Sequence, residues 1–193
     1  TGDITVKTVT YTSTAANKVY DRTTAAPAAL GGSFAAGDII TGDTVTVTGG
    51  TYDSKDVGSR TITGFTLSGT GSGNYMLTAD SRVTGTITAK TLTYTATTAI
   101  TKVYDGNTTV TTTFAGGDLM GVESGDTVTI DTTNARYADK DVNTGIAITG
   151  LALGGADAGN YMLAAGSVTG DITVKTVTYT STAANKVYDR TTA

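Results

Sequence analysis

The sequence predicts an all-β fold, a tandem array of sandwich repeats with a period of about 84 residues, on three observations. First, the stretch TGDITVKTVTYTSTAANKVYDRTTA at 1–25 returns unchanged at 169–193, and a looser copy, TGTITAKTLTYTATTAITKVYDGNTT, occupies 84–109. Self-similarity at a fixed period marks a repeat architecture and has to be settled before any other reading. Second, other landmarks keep the step: Tyr11 returns as Tyr94, Tyr52 as Tyr137, and Gly73-Asn74-Tyr75 as Gly159-Asn160-Tyr161. Third, 46 of the 193 residues are Thr, alternating with apolar residues in short runs that 25 Gly punctuate. Thr and Val suit a pleated, half-buried surface, and glycines supply turns. Strand after strand with turn signals points to a sandwich or barrel. A shift of two periods gives identity and a shift of one only likeness, which points to duplication of a two-unit block inside a longer chain.

Composition bounds what such units do. The chain has no Cys, His or Trp and a single Pro. Units of this size lie just above the point where a core alone becomes marginal. Without disulfides they must hold by packing and by contact with their neighbours. A net charge of −4 argues against nucleic acid, which wants a basic face. No segment approaches the apolar length of a membrane span and none looks like a signal peptide, though an internal piece of an array says nothing about export. Without His or Cys, neither a Ser-His-Asp nor a Cys-His arrangement can be assembled, so no enzyme is expected.

The elements follow in order. Ile4 and Val6 share one strand face, and Val9 and Tyr11 continue with the opposite parity; Ile87 and Ala89, then Leu92 and Tyr94, repeat the flip. A strand's side chains alternate with period two, so the flip means that the apolar face has changed sides. Domain junctions are therefore placed at Lys7/Thr8, Lys90/Thr91 and Lys175/Thr176. This divides the chain into the end of one repeat (1–7), a repeat over 8–90, a second over 91–175, and the start of another (176–193), stiffly coupled because no flexible linker intervenes. Lys18-Val19-Tyr20-Asp21 and Lys102-Val103-Tyr104-Asp105-Gly106 read as a strand ending in a turn, since Asp-Gly is a strong turn signal. Phe34 and Phe114 are expected core anchors. Asp43–Val47 and Asp126–Ile130 alternate cleanly, and Tyr52–Gly58 and Tyr137–Val142 read as turns. In the next strand Ile62 is followed by Phe65 and Leu67, and Gly64 lies in the gap, as Gly150 lies between Ile148 and Leu151. Glycine at a parity break predicts a bulge. Arg82–Ile87 closes the unit.

Asp157-Ala158-Gly159-Asn160-Tyr161-Met162-Leu163 has an acidic residue four before a Tyr, a small residue two before and a core residue two after. This resembles the tyrosine corner of immunoglobulin-like sandwiches, in which the Tyr hydroxyl bonds back to upstream backbone. Leu163, and Leu77 after Tyr75, stand where true immunoglobulin domains have their second cysteine, and Gly71 replaces the Asp in the first unit. Together with Lys-Val-Tyr-Asp-Gly and its threonines, Gly-Asn-Tyr-Met-Leu and Thr-Ile-Thr-Ala-Lys-Thr-Leu-Thr, the pattern resembles the YDG/MBG class of bacterial Ig-like repeats. Such repeats occur in large secreted or surface proteins similar to filamentous-haemagglutinin-like adhesins. The resemblance covers both full units and implies tandem Ig-like β-sandwiches, roughly seven strands each, in an extracellular stalk or adhesive array on a bacterial surface. Arg22 and Arg190 stand where the family has glycine after Tyr-Asp.

The expected function is structural: a stiff spacer that works by geometry, its partners the neighbouring repeats. The alternative is a self-associating subunit of an extracellular filament or biofilm matrix, pairing through Thr-rich, charge-poor strand edges. Tyr20, Asp21, Tyr104, Asp105, Tyr75, Tyr161, Asp157, Gly64 and Gly150 are read as structural. The carboxylate pairs Asp53/Asp56 and Asp139/Asp141 read first as solvated turn residues and second as calcium ligands, the only cofactor considered, with Asp38 and Asp43 as additions. Lys18 with Asn74, and Lys102 with Asn160, recur once per unit and are candidates for an intramolecular isopeptide bond; otherwise each Lys is a strand-edge charge and each Asn a corner residue.

Overall fold

A computed structural model describes residues 1–14, 16–27, 30–78, 83–95, 99–111 and 118–190. Phe114 and Arg82 lie outside the described residues. The chain is all-β, without an α-helix among the described residues, and forms two tandem β units of about 80 residues. The first unit carries β1 (Lys7–Val9), β2 (Tyr11–Ser13), β3 (Lys18–Val19), β4 (Gly32–Phe34), β5 (Thr46–Tyr52), β6 (Gly58–Ser68), β7 (Tyr75–Leu77) and β8 (Val83–Thr88). The second carries β9 (Lys90–Tyr94), β10 (Thr101–Val103), β11 (Leu119–Met120), β12 (Thr129–Asp131), β13 (Arg136–Tyr137), β14 (Asn143–Thr149), β15 (Ala152–Gly154), β16 (Tyr161–Leu163) and β17 (Thr169–Thr173).

The larger sheet of the first unit runs β3-β8-β6-β5, and that of the second β10-β17-β14-β13. In both, the Lys-Val strand lies parallel to the closing strand, and the rest is antiparallel. The facing layer of the first unit joins β1 to β7 in parallel and β2 to β4 antiparallel; in the second, β9 serves both partners, in the order β11-β9-β16. Period-two burial holds the strands in register. Val83, Gly85 and Ile87 of β8 face the first core, and Leu92 and Tyr94 of β9 face inward with the opposite parity. One residue, Ala89, separates the two strands, so the faces exchange without a linker.

Glycine packing fixes the closing strands. A Cβ on Gly85 would lie 1.7 Å from the Ala16 carbonyl oxygen, and one on Gly170 2.6 Å from that of Ile100. Across this contact the Tyr52 hydroxyl donates to the Ala16 carbonyl at 2.7 Å, and Tyr137 donates to that of Ile100 at 3.4 Å.

Three expectations need correction. The glycine break is not a bulge in the first unit: Thr51↔Thr63 and Gly49↔Phe65 belong to one unbroken register, with Gly50 and Gly64 facing each other, both at positive φ (106° and 74°). The paired strands bend together there, which rotates the apolar face without inserting a residue. In the second unit the hairpin divides at Gly150 (φ 71°) into β12–β15 and β13–β14. Among the described residues the units carry eight and nine strands rather than seven, and the division at Gly150 accounts for the additional strands of that hairpin in the second unit. Finally, Ile4 and Val6 form no strand among the described residues and are exposed. The same holds for residues 174–190, which repeat 6–22 letter for letter; Val177, Tyr179 and Tyr188 are exposed where Val9, Tyr11 and Tyr20 are buried.

Candidate functional site: the junction between the units

Each Tyr-Asp turn is built around its lysine. Lys18 Nζ donates to Asp21 Oδ1 (2.7 Å) and to the carbonyls of Thr23 (2.7 Å) and Ala25 (3.1 Å), while the Asp21 carboxylate also accepts the Thr23 N–H at 2.9 Å. Lys102 repeats the cage with Asp105 (2.6 Å) and the carbonyls of Asn107 and Thr109. These lysines stand on the edge strands β3 and β10, and each organises the loop that follows it from within. Burial pushes the Asp21 carboxyl up, but Lys18 and Thr23 outweigh it and hold it below the usual range. The cage forces a left-handed residue after Asp: Gly106 has φ 80°, and Arg22 accepts φ 65°. Left-handed backbone costs a non-glycine residue about 1–2 kcal/mol, so the arginine needs a compensating partner.

It finds one in the second unit. Arg22 Nε lies 2.7 Å from Asp126 Oδ1, and its Nη1 donates to the Ser124 carbonyl. Beside it, Tyr20 is 1 % exposed and donates to Asp126 Oδ2 at 2.9 Å. Tyr161 donates to the same oxygen at 2.6 Å, and its hydroxyl accepts the Glu123 N–H at 3.0 Å. The rings of Tyr20 and Tyr161 meet edge to face, centroids 5.3 Å apart, and Lys55 Nζ stands 5.6 Å from the Tyr20 centroid. Asn160, buried, accepts the Val57 N–H at 2.9 Å and donates to Asp56 Oδ1 at 3.2 Å. Tyr20, Leu92, Leu119, Val128 and Tyr161 belong to one apolar cluster with the first unit's core, so burial is continuous across the junction.

The electrostatics follow from this packing. The Asp126 side chain is 2 % exposed. Burial pushes its carboxyl up, but hydrogen bonds from Tyr161 and Tyr20 and the charge of Arg22 prevail, leaving it below its ordinary value. Burial, then the bond to Asp126, raises the phenols of Tyr161 and Tyr20. A buried carboxylate is costly unless paired and hydrogen-bonded, and here three donors from two units satisfy it. The arrangement clamps; it offers no open reactive group.

The structure places the sequence-derived candidates as follows. Tyr20 joins the junction, and Asp21 and Asp105 close the lysine cages. The corner expectation needs revision: the Tyr161 and Tyr75 hydroxyls accept backbone N–H groups 38 and 35 residues upstream, from Glu123 and Ile40, and donate to Asp126 and Asp43. Asp157 accepts the Thr127 N–H, and a side chain at Gly71 would strike the Asp43 carboxylate, which accounts for the glycine there. Neither isopeptide lysine has its asparagine among its partners: Lys18 and Lys102 are held in their cages, and Asn160 faces Asp56 and Val57. Of the calcium candidates, Asp56 pairs with Lys55 and Asp141 with Lys140; Asp139 accepts the Asp141 N–H, and the Asp53 backbone N–H donates to Thr61. No group of three or more acidic, His or Cys side chains suited to a metal occurs among the described residues. Arg22 stood out from sequence only as a replacement for the family's glycine, and Glu123 and Asp126 were not read as site residues; the recurrence of Asp43 as Asp126, one repeat step further on, was the available signal.

No helix of the described residues is long and apolar enough to cross a membrane. No curated protein and no solved structure matches the chain. The model of the YDG domain matches twice, over residues 5–82 and 88–169, and these are the two β units joined at this clamp. The chain therefore belongs to the YDG-domain family, as a tandem pair.

Proposed function

We propose that the chain is a stiff spacer segment of a bacterial surface adhesin, acting outside the cell by holding successive units at a fixed angle and distance. The observation that carries this reading is the clamp on Asp126, reached by Tyr20 and Arg22 of one unit and Tyr161 of the next, beside a connection of a single residue. Solenoid-like arrays draw much of their stability from such nearest-neighbour interfaces, and a tip is projected only if each joint resists bending. The alternative of filament formation through open strand edges has weaker support. The outer edge of β5 is occupied by residues 24–26, through Tyr52 N–H to the Thr24 carbonyl (2.7 Å) and Ala26 N–H to that of Gly50 (3.0 Å). Small-angle scattering on chains of two, three and four units tests the spacer. A rod whose length grows in proportion to unit number is expected; a distribution of bent shapes would remove the reading.

A further inference from the structure

The chain holds seven asparagines, and only Asn107 opens a triplet Asn-x-Ser/Thr without an intervening proline, as Asn107-Thr108-Thr109. That triplet is the acceptor pattern for a sugar on the Asn side-chain nitrogen, and it serves on a surface loop. Such triplets also arise by chance, so the geometry has to decide. Asn107 lies in the loop that Lys102 holds, and it is exposed. Its Oδ1 accepts Lys102 Nζ at 3.1 Å and the Thr109 N–H at 2.9 Å, while its backbone N–H donates to Asp105 Oδ1 at 3.1 Å. Its Nδ2 donates to no group among the described residues. The planar amide is thus oriented through its oxygen, and the nitrogen is left unspent on the solvent side. Asn160 is the contrast: it is buried, and Val57 and Asp56 engage both ends of its amide.

The bond from the Thr109 N–H closes an Asx turn, in which a side-chain oxygen mimics a backbone carbonyl. It fixes the third residue of the triplet against the first. Thr109 is exposed, and its hydroxyl has no hydrogen-bond partner among the described residues. The two groups that a transferase reads, the amide nitrogen and the hydroxyl, are therefore both accessible on one ordered loop. That exposure does not depend on what adjoins the loop. In the first unit the lysine cage takes the carbonyls of Thr23 and Ala25 where the second takes those of Asn107 and Thr109. There the second unit packs against the loop through Tyr20 and Arg22, and Thr23 is still exposed. Thr23-Thr24-Ala25 has neither the amide nor the hydroxyl at the third place, so the pattern distinguishes the second unit from the first.

We propose that Asn107 is a glycosylation site, taking its sugar from a donor activated as a glycosyl diphosphate. The Nδ2 lone pair bonds to the anomeric carbon as the bond from that carbon to the diphosphate oxygen breaks. The diphosphate leaves with the electron pair, and one amide proton passes to the transferase. Oδ1 keeps both of its hydrogen bonds in the product, so the lysine cage survives and the folded loop serves as acceptor. The sugar stands just past the edge strand β10, where a bulky polar group blocks pairing with another chain. The proposal is independent of the spacer reading: a flexible joint between the units leaves it intact.

Mass spectrometry of the protein isolated from its native host is the test. Cleavage after Lys and Arg releases Val103–Arg136, in which Asn107 opens the one such triplet. Fragmentation that keeps the sugar on its residue should place it on Asn107. Thr109→Ala retains the backbone N–H that Asn107 accepts, so the loop keeps its fold, and occupancy should be lost; Thr109→Ser should retain most of it. Unmodified chain is then given a nucleotide sugar with soluble host extract, or host membranes carrying a polyprenyl-linked sugar. Transfer in either supports the proposal and names the source of the diphosphate donor. Transfer in neither overturns it, as does a bare Val103–Arg136 peptide from the native protein, sugar on a threonine of that peptide in place of Asn107, or occupancy unchanged in Thr109→Ala.

Discussion

Removing one oxygen from Tyr20 isolates the coupling between the units, because the same motif offers its own control. In Tyr20→Phe the ring keeps its edge-to-face contact with Tyr161, and only the 2.9 Å bond to Asp126 is lost. A hydrogen bond to a charged group contributes about 1.5–3 kcal/mol. Asp126 keeps Tyr161 and Arg22 as partners and is not orphaned, so the loss belongs at the low end of that range, about 1.5 kcal/mol. For a chain of this size that corresponds to a fall in Tm of about 3–6 °C. Tyr104→Phe removes the same atom from the same motif where the hydroxyl has no hydrogen-bond partner among the described residues, and its cost should stay within about 0.5 kcal/mol, as for an ordinary surface change. Chemical denaturation followed by tyrosine fluorescence, which no tryptophan obscures, measures both variants. Equal losses for the two variants, or a smaller loss for Tyr20→Phe, would refute the assignment of Tyr20 to the clamp.

Three further outcomes follow from the same geometry. Tyr20 and Tyr161 hold their protons above the ordinary value of 10.0, so their contribution is whole below that pH and drains away as pH rises through the folded values. Tyr94, pushed up to about 12 by burial and then by its bond to Asp118, adds to the same alkaline loss. Asp126 lies below 3.8, so its share is whole above that value and disappears as pH falls beneath it; melting curves across pH should slope at both ends, the alkaline limb flattening in Tyr20→Phe. Asn160→Ala leaves the Val57 N–H without its acceptor and takes one of several partners from Asp56, and should cost about 1–3 kcal/mol by denaturation, whereas Asn74→Ala, at an exposed residue, should leave stability unchanged. Gly85→Ala drives a methyl into the Ala16 carbonyl and should cost at least about 2 kcal/mol by the same assay.

Local rules account for much of this fold. The parity flip across Lys90 is visible in a string of letters because side-chain alternation is a property of a single strand, whereas the same letters before Lys7 form no strand. Gly64 and Gly150 announce a break for the same reason, though whether strands bend together or separate depends on the strand opposite. Partners far away in sequence were illegible. The Tyr161 hydroxyl reads as a local corner, yet its acceptor Asp126 and its donor Glu123 both belong to a distant turn of the same unit. Tyr20 looks like a turn residue, and its bond to Asp126 spans 106 positions. Residues 6–22 and 174–190 make the limit plain: one sequence, folded where β4, β7 and β8 follow it, strandless where they do not.

The parallel pairing of β3 with β8 bears on how the units carry load. Lys18 faces Ile87 and Val19 faces Thr88, and β8 passes straight into β9. Tension on the two ends of the first unit enters at β1 and leaves at β8, and each of these terminal strands lies parallel to a partner inside the unit, β1 to β7 and β8 to β3. A strand drawn along its own axis loads those hydrogen bonds together in shear instead of one after another, and β9 with β16 and β17 with β10 repeat the arrangement in the second unit. Forced unfolding is governed by the unfolding barrier rather than by equilibrium stability. If the chain is the spacer proposed above, pull along its length is met first by shear at the terminal strands of each unit.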